Sequence, residues 1–142
     1  MKSFPFAMVA LTLSLLAGCG GSTDGIQRAD VSGTVTFEGT PVERGFIQFV
    51  PVPGVEGAPV KLTIENGAYS SASDPVDSRG IPVGENRVEI TASRSTGKQI
   101  KNEMGETEDE IEWYIPEKYN TNSELTMEIA PGENPRDFEL TP

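Results

Sequence analysis

The chain has 142 residues, 22 of them acidic and 11 basic, for a formal net charge of -11, and it contains no histidine. The acidic balance argues against nucleic acid, whose binding rests on Lys and Arg neutralising phosphates, and against adsorption to anionic lipid head groups. Without histidine the chain lacks the commonest general base, the commonest metal ligand and the usual partner of a Ser or Cys nucleophile, so no catalytic residue, metal site or cofactor is expected.

At the N-terminus one basic residue, Lys2, precedes an apolar run from Phe4 to Leu16. The run is interrupted by Pro5, Thr12 and Ser14 and falls short of the roughly 20 apolar residues of a membrane-spanning helix. It closes on Leu16-Ala17-Gly18-Cys19, and Cys19 is the only cysteine. Small residues at Ala17 and Gly18 let an extended backbone enter a protease cleft. This stretch resembles the lipobox of bacterial lipoproteins. The resemblance implies a signal peptide over 1–18, cleavage between Gly18 and Cys19, and a diacylglyceryl group on the Cys19 thiol. It implies in turn a membrane partner, reached through the N-terminal lipid, and a domain outside the cytoplasm in the cell envelope. Gly20 is compatible, by family analogy, with the outer membrane. The alternative is an ordinary secretory signal with a chance cysteine. With Cys19 acylated no thiol remains for a disulfide, and the lipid rather than the surface charge holds the protein to the membrane.

Residues 19–29 read as a flexible tether, small and polar through Gly25. From Val31 the pattern turns to period two, with Val31, Gly33, Val35 and Phe37 on one face, and Gly39-Thr40-Pro41 makes a turn. Phe46–Val52 is a second strand, Ile47 and Phe49 on one face and Phe46 and Val50 on the other. Val60, Leu62 and Ile64 alternate with polar residues and lead into Asn66-Gly67, a strong hairpin signal before Ala68–Ser70. A polar loop covers 73–79. Val88, Ile90 and Ala92 alternate in a further strand; Leu125, Met127 and Ile129 do so again. Pro131–Asn134 is a turn, and Phe138 and Leu140 mark the last strand. About seven short strands without an amphipathic helix predict one all-β domain over 30–142, an antiparallel β-sandwich.

The order of several motifs then resembles the carboxypeptidase regulatory-like, or transthyretin-like, domain. These are the Val31–Phe37 strand with Gly33, Gly39-Thr40-Pro41, Asn66-Gly67-Ala68-Tyr69 and Gly80-Ile81-Pro82-Val83-Gly84. Ile115–Asn120 with Ser123-Glu124-Leu125 further resembles small bacterial lipoproteins built from one such domain. The resemblance implies a transthyretin-like sandwich and a binding or structural role, and it brings no catalytic residues. One position departs: Asn86 stands where the family has an aromatic, on the parity of Val88 and Ile90. Either the strand begins later or this end of the core is open and wet.

The acidic residues Glu103, Glu106, Glu108, Asp109, Glu110 and Glu112 offer the oxygens that calcium takes, but lack the spacing that folds them around one ion, and read as a solvated loop. Trp113, Tyr114 and Tyr119 lie in the long connection between Ser93 and Ser123. Connections of that length are uncommon without a role, and Trp and Tyr are the usual interface anchors. The expectation is that these rings pin the connection onto the sandwich; exposed, they would form a partner-binding platform. The function expected is thus a non-enzymatic, membrane-anchored lipoprotein displaying an interaction or structural module to an envelope protein. The alternative is a carbohydrate-binding or adhesion module that uses the aromatic loop on a glycan.

Overall fold

Eleven strands follow one another in a computed structural model that describes residues 24–142, the longer ones of the body where apolar residues alternate. The expected cleavage site at Gly18 and Cys19, the signal peptide and the first part of the tether lie outside the described residues. The strands are β1 (Arg28–Phe37), β2 (Thr40–Pro41), β3 (Arg44–Pro51), β4 (Val60–Glu65), β5 (Ala68–Ser70), β6 (Ile81–Pro82), β7 (Gly84–Lys101), β8 (Thr107–Trp113), β9 (Thr126–Ile129), β10 (Glu133–Pro135) and β11 (Phe138–Leu140). One 3-10 turn, Glu117–Tyr119, stands between β8 and β9. The strand order is β10-β1-β5-β4-β3-β7-β8, with β2, β6 and β11 also along β1 and β9 along β7. Pairing is antiparallel except where β10 and β11 run parallel to β1.

The inner face carries Val31 and Val35 of β1, Ile47 and Phe49 of β3, Leu62 and Ile64 of β4, Val88 and Ile90 of β7, and Ile129 of β9, all buried. Each such side chain contributes about 1.5–3 kcal/mol by leaving water. Ring contacts close the layers. Phe49 lies 6.3 Å from Tyr69, Tyr69 lies 6.3 Å from Phe138, and Phe37 meets Tyr114 edge-on at 5.6 Å. Strands distant in the sheet order, β1 and β7, therefore face one another across one core, as the expected all-β sandwich requires. The count exceeds the expected seven because β2, β6 and β10 are too short to show a period and β8 has no buried face.

Two members of the motif series meet in space. An added Cβ at Gly33 would lie 1.7 Å from the Arg136 carbonyl oxygen, so only glycine admits that close approach. The Tyr69 hydroxyl donates to the same oxygen at 2.6 Å. Burial pushes the Tyr69 phenol well above its ordinary range, which keeps it a donor. Asn66 and Gly67 both have positive φ, 50° and 81°, as a type I′ hairpin requires. Asp74 organises the 73–79 loop by accepting hydrogen bonds from the Thr63, Val76 and Asp77 amides.

Three expectations change. Arg28 and Ala29, read as tether, belong to β1 and pair with Pro82 and Ile81, because Ala29 joins the core. Asn86 is fully buried on the face its parity gives it, and neither reading of that end holds. The strand starts earlier, at Gly84, and the Asn86 amide donates to the Pro82 and Gly84 carbonyls in place of a ring. The long 93–123 connection is not a loop. Its first part continues β7 to Lys101 and returns as β8, a two-stranded arm.

Candidate functional site

The arm exists because β7 does not stop where its buried alternation stops. Ser93, Arg94 and Ser95 pair with Trp113, Glu112 and Ile111; Gln99, Ile100 and Lys101 pair with Asp109, Glu108 and Thr107. Between these sets the extra residues of a bulge lie on β7, with Gly97 at φ 78°. Side chains opposite one another share a face. One face of the arm therefore carries Ser93, Ser95, Asp109, Ile111 and Trp113, and the other carries Arg94, Ile100, Glu108, Glu110 and Glu112. On the second face Arg94 donates to Glu112 at 3.2 Å and Thr96 donates to Glu110 at 2.7 Å.

The three aromatics expected to act together are divided. Tyr114 is half-buried, packed edge-on against Phe37 with the Arg94 guanidinium 4.8 Å above its ring. Tyr119 packs against the core and its hydroxyl meets Thr141. Trp113 is 61 % exposed. The expectation that it pins the connection is corrected: it stands opposite Ser93 on the outer face, and among the described residues nothing buries it. Ile111, two residues away on the same face, is 56 % exposed.

That face continues onto the body. Thr91 pairs with Phe46, and Phe46 is itself partly exposed beneath the Lys61 ammonium, 5.4 Å from its ring. Phe46, Gln48, Lys61, Glu89, Thr91 and Asn120 line an open groove of about 460 Å³. Trp113 stands at the strand position across from Ser93, two residues beyond Thr91. The Glu89 carboxylate in this groove is held by Arg87 at 2.5 Å. Sequence reasoning missed the groove because it is assembled from β3, β4, β7 and a turn. The one available signal was the outward parity of Phe46 beside inward Ile47 and Phe49.

The far wall of the groove is a side-chain substitute for a strand. Between the β8 and β9 pairings the Val88 and Ile90 carbonyls of the β7 edge are met by side chains. Asn120 donates to the Ile90 carbonyl at 3.3 Å and Ser123 donates to the Val88 carbonyl at 2.5 Å. Asn120 also donates to the Ile115 and Pro116 carbonyls, which fixes its amide at the rim.

The acidic residues are spread along β8 and the arm's turn. Among the described residues no three His, Cys, Asp or Glu side chains converge as a metal site would require. Ser95 and Lys98 stand at Ser-x-x-Lys spacing, but both are exposed on the bulge, and Ser95 accepts from the Gly97 amide at 3.2 Å. No family model matches the chain, and no curated protein or solved structure is significantly similar to it.

Proposed function

We propose that the chain is a lipid-anchored, non-enzymatic interaction module of the bacterial cell envelope, and that its β7–β8 arm meets the partner. One observation carries the reading: Trp113 and Ile111 are exposed together on a solvated arm where packing gives them no role. Large apolar side chains gathered on a surface mark interaction sites, and Trp is the commonest anchor.

The direction of the strands supports it. The Val83 amide donates to the Gln27 carbonyl, so β1 and β7 start at one end of the body. Both run the same way, since Phe37 at the end of β1 packs on Tyr114, whose amide donates to Ala92 of β7. The arm then continues away from that starting end. Five peptide units separate Cys19 from Asp24 and reach at most about 18 Å. A lipid on Cys19 thus holds the start of β1 near the bilayer and sends the arm outward. The Gly33–Arg136–Tyr69 arrangement supports the kinship with carboxypeptidase regulatory-like domains, since it gives two of their motif positions a joint role.

The test is the intact mass of the protein extracted from membranes, with Cys19→Ser beside it. An acylated N-terminus at Cys19, and a variant left unprocessed or soluble, are expected. A mature N-terminus elsewhere, or a free thiol, overturns the anchored reading.

A second reading is favoured by the groove, where the Phe46 ring and the Gln48 amide offer what a sugar ring takes. Saturable quenching of Trp113 by a neutral oligosaccharide such as chitotetraose would move the assignment to a carbohydrate-binding module.

A further inference from the structure

β8 is the last strand of the sheet order, and among the described residues no strand pairs with its outer side. The bulge of the arm lies on β7, so β8 runs unbroken from Thr107 to Trp113, without proline. An unpaired regular edge is a template for another chain, and proteins commonly blunt such edges with bulges, prolines or charge. Here only charge is used, and it has one sign: Glu108, Asp109, Glu110 and Glu112.

That sign selects the occupant. A second copy pairing along β8 would bring Glu108, Glu110 and Glu112 beside their counterparts, and like charges across a strand pair are destabilising. A segment with Lys or Arg at alternate positions meets the same three carboxylates favourably. Its intervening residues fall on the opposite face, beside Ile111 and Trp113, where apolar side chains cover exposed surface. Within the arm Arg94 reaches only Glu112, and Ile100 stands opposite Glu108, so β7 leaves this row largely unneutralised. We infer that β8 takes up an extended cationic segment of a protein partner by strand addition, with basic residues along the Glu108–Glu110–Glu112 row and apolar residues over Ile111 and Trp113. The inference rests on the interaction-module reading and names the chemistry of the partner; main-chain bonds supply affinity and the alternating side chains supply selectivity.

The experiment uses the full chain in detergent and, as probe, a synthetic peptide of about eight residues alternating lysine with valine, matched to the strand length. Trp113, the only tryptophan, reports binding. Two further peptides carry N-methyl groups on alternate residues, one set along each backbone edge. The expected result is a saturable blue shift of Trp113 emission and slowed amide exchange over 107–113. Methylation of one edge weakens binding by about tenfold or more, through lost main-chain bonds, and methylation of the other changes it less than about twofold. In Glu108→Lys/Glu110→Lys/Glu112→Lys the preference moves to a glutamate–valine peptide. A block peptide of the same composition that binds as tightly, two methylated peptides that bind alike, or protection outside β8 overturns the inference. The methylated pair is read on the unaltered protein, so a misfolded variant does not blunt the test. An acylated chain that ignores the peptide removes this inference alone; a chain without lipid that binds it removes only the anchor.

Discussion

The two halves of β7 live in different surroundings. From Asn86 to Ala92 every second side chain is buried, and the strand lies between β3 on one side and β9 with the Asn120 and Ser123 side chains on the other. From Arg94 to Lys101 every residue is exposed, and among the described residues only β8 accompanies it. The backbone is the same; the driving force is not. Burial holds the first half, whereas a two-stranded ribbon is marginal by itself and persists here as an extension of a strand fixed elsewhere. Local opening should therefore begin in the arm, far below the free energy of global unfolding.

The sharpest way to break this contrast is to damage the body. Phe49 is fully buried and packs on Tyr69. Phe49→Ala should cost about 3–5 kcal/mol by transfer and cavity. Urea unfolding followed by circular dichroism measures it, and a loss under 1 kcal/mol would mean that the two layers do not share this core.

The edge caps come next. Ser123→Ala removes a donor to the Val88 carbonyl and an acceptor for the Leu125 amide. Leaving a buried carbonyl unpaired costs about 1–3 kcal/mol. Slowly exchanging amides from Asn86 to Ala92 should lose protection while those of the arm stay as they were. Equal loss in both would show that the caps serve the whole strand.

Much of the body is readable from residues alone because its strands are half-buried. Val60, Leu62 and Ile64 alternate, and Asn66-Gly67 supplies the positive φ its turn demands. The arm offers no such signal. Thr107-Glu-Asp-Glu-Ile-Glu-Trp113 has no inner face, so nothing in its hydropathy distinguishes a solvated strand from a solvated loop. Trp113 misleads for the same reason: a lone tryptophan suggests core until register shows which way it points. Asn86 misleads differently, since its amide satisfies carbonyls of the chain just before it, a local bond that parity cannot reveal.

A smaller effect links the body to pH. Tyr69→Phe removes the bond to Arg136 and should cost about 1 kcal/mol near neutrality. Burial raises the Tyr69 phenol above its ordinary 10.0, so the folded chain keeps a proton that the unfolded chain releases. The stability this gives is whole below pH 10 and is lost as pH rises toward the folded value. Tyr114, also raised by burial, acts in the same sense, and Tyr119, lowered by its hydrogen bonds with Thr141, acts in the opposite one. The alkaline fall in stability should therefore be shallower in Tyr69→Phe than in the parent; parallel curves above pH 10 would remove Tyr69 as its source.

The smallest effect on stability belongs to the residue with the largest part in the proposed function. Trp113 is 61 % exposed and opposes only Ser93, so its removal leaves no cavity. Trp113→Ala should leave the thermal unfolding curve within about 0.5 kcal/mol of the parent, as surface substitutions do. Tyr114→Ala, one residue on, should cost more, because its ring packs on Phe37. The pair crosses the boundary between arm and body within two adjacent residues. If the arm folds back and seats the indole, Trp113→Ala becomes the more damaging change, and the parent's tryptophan emission lies at short wavelength before any partner is added. If the arm stands free, emission is that of a hydrated indole, and the side chain is available to whatever β8 receives.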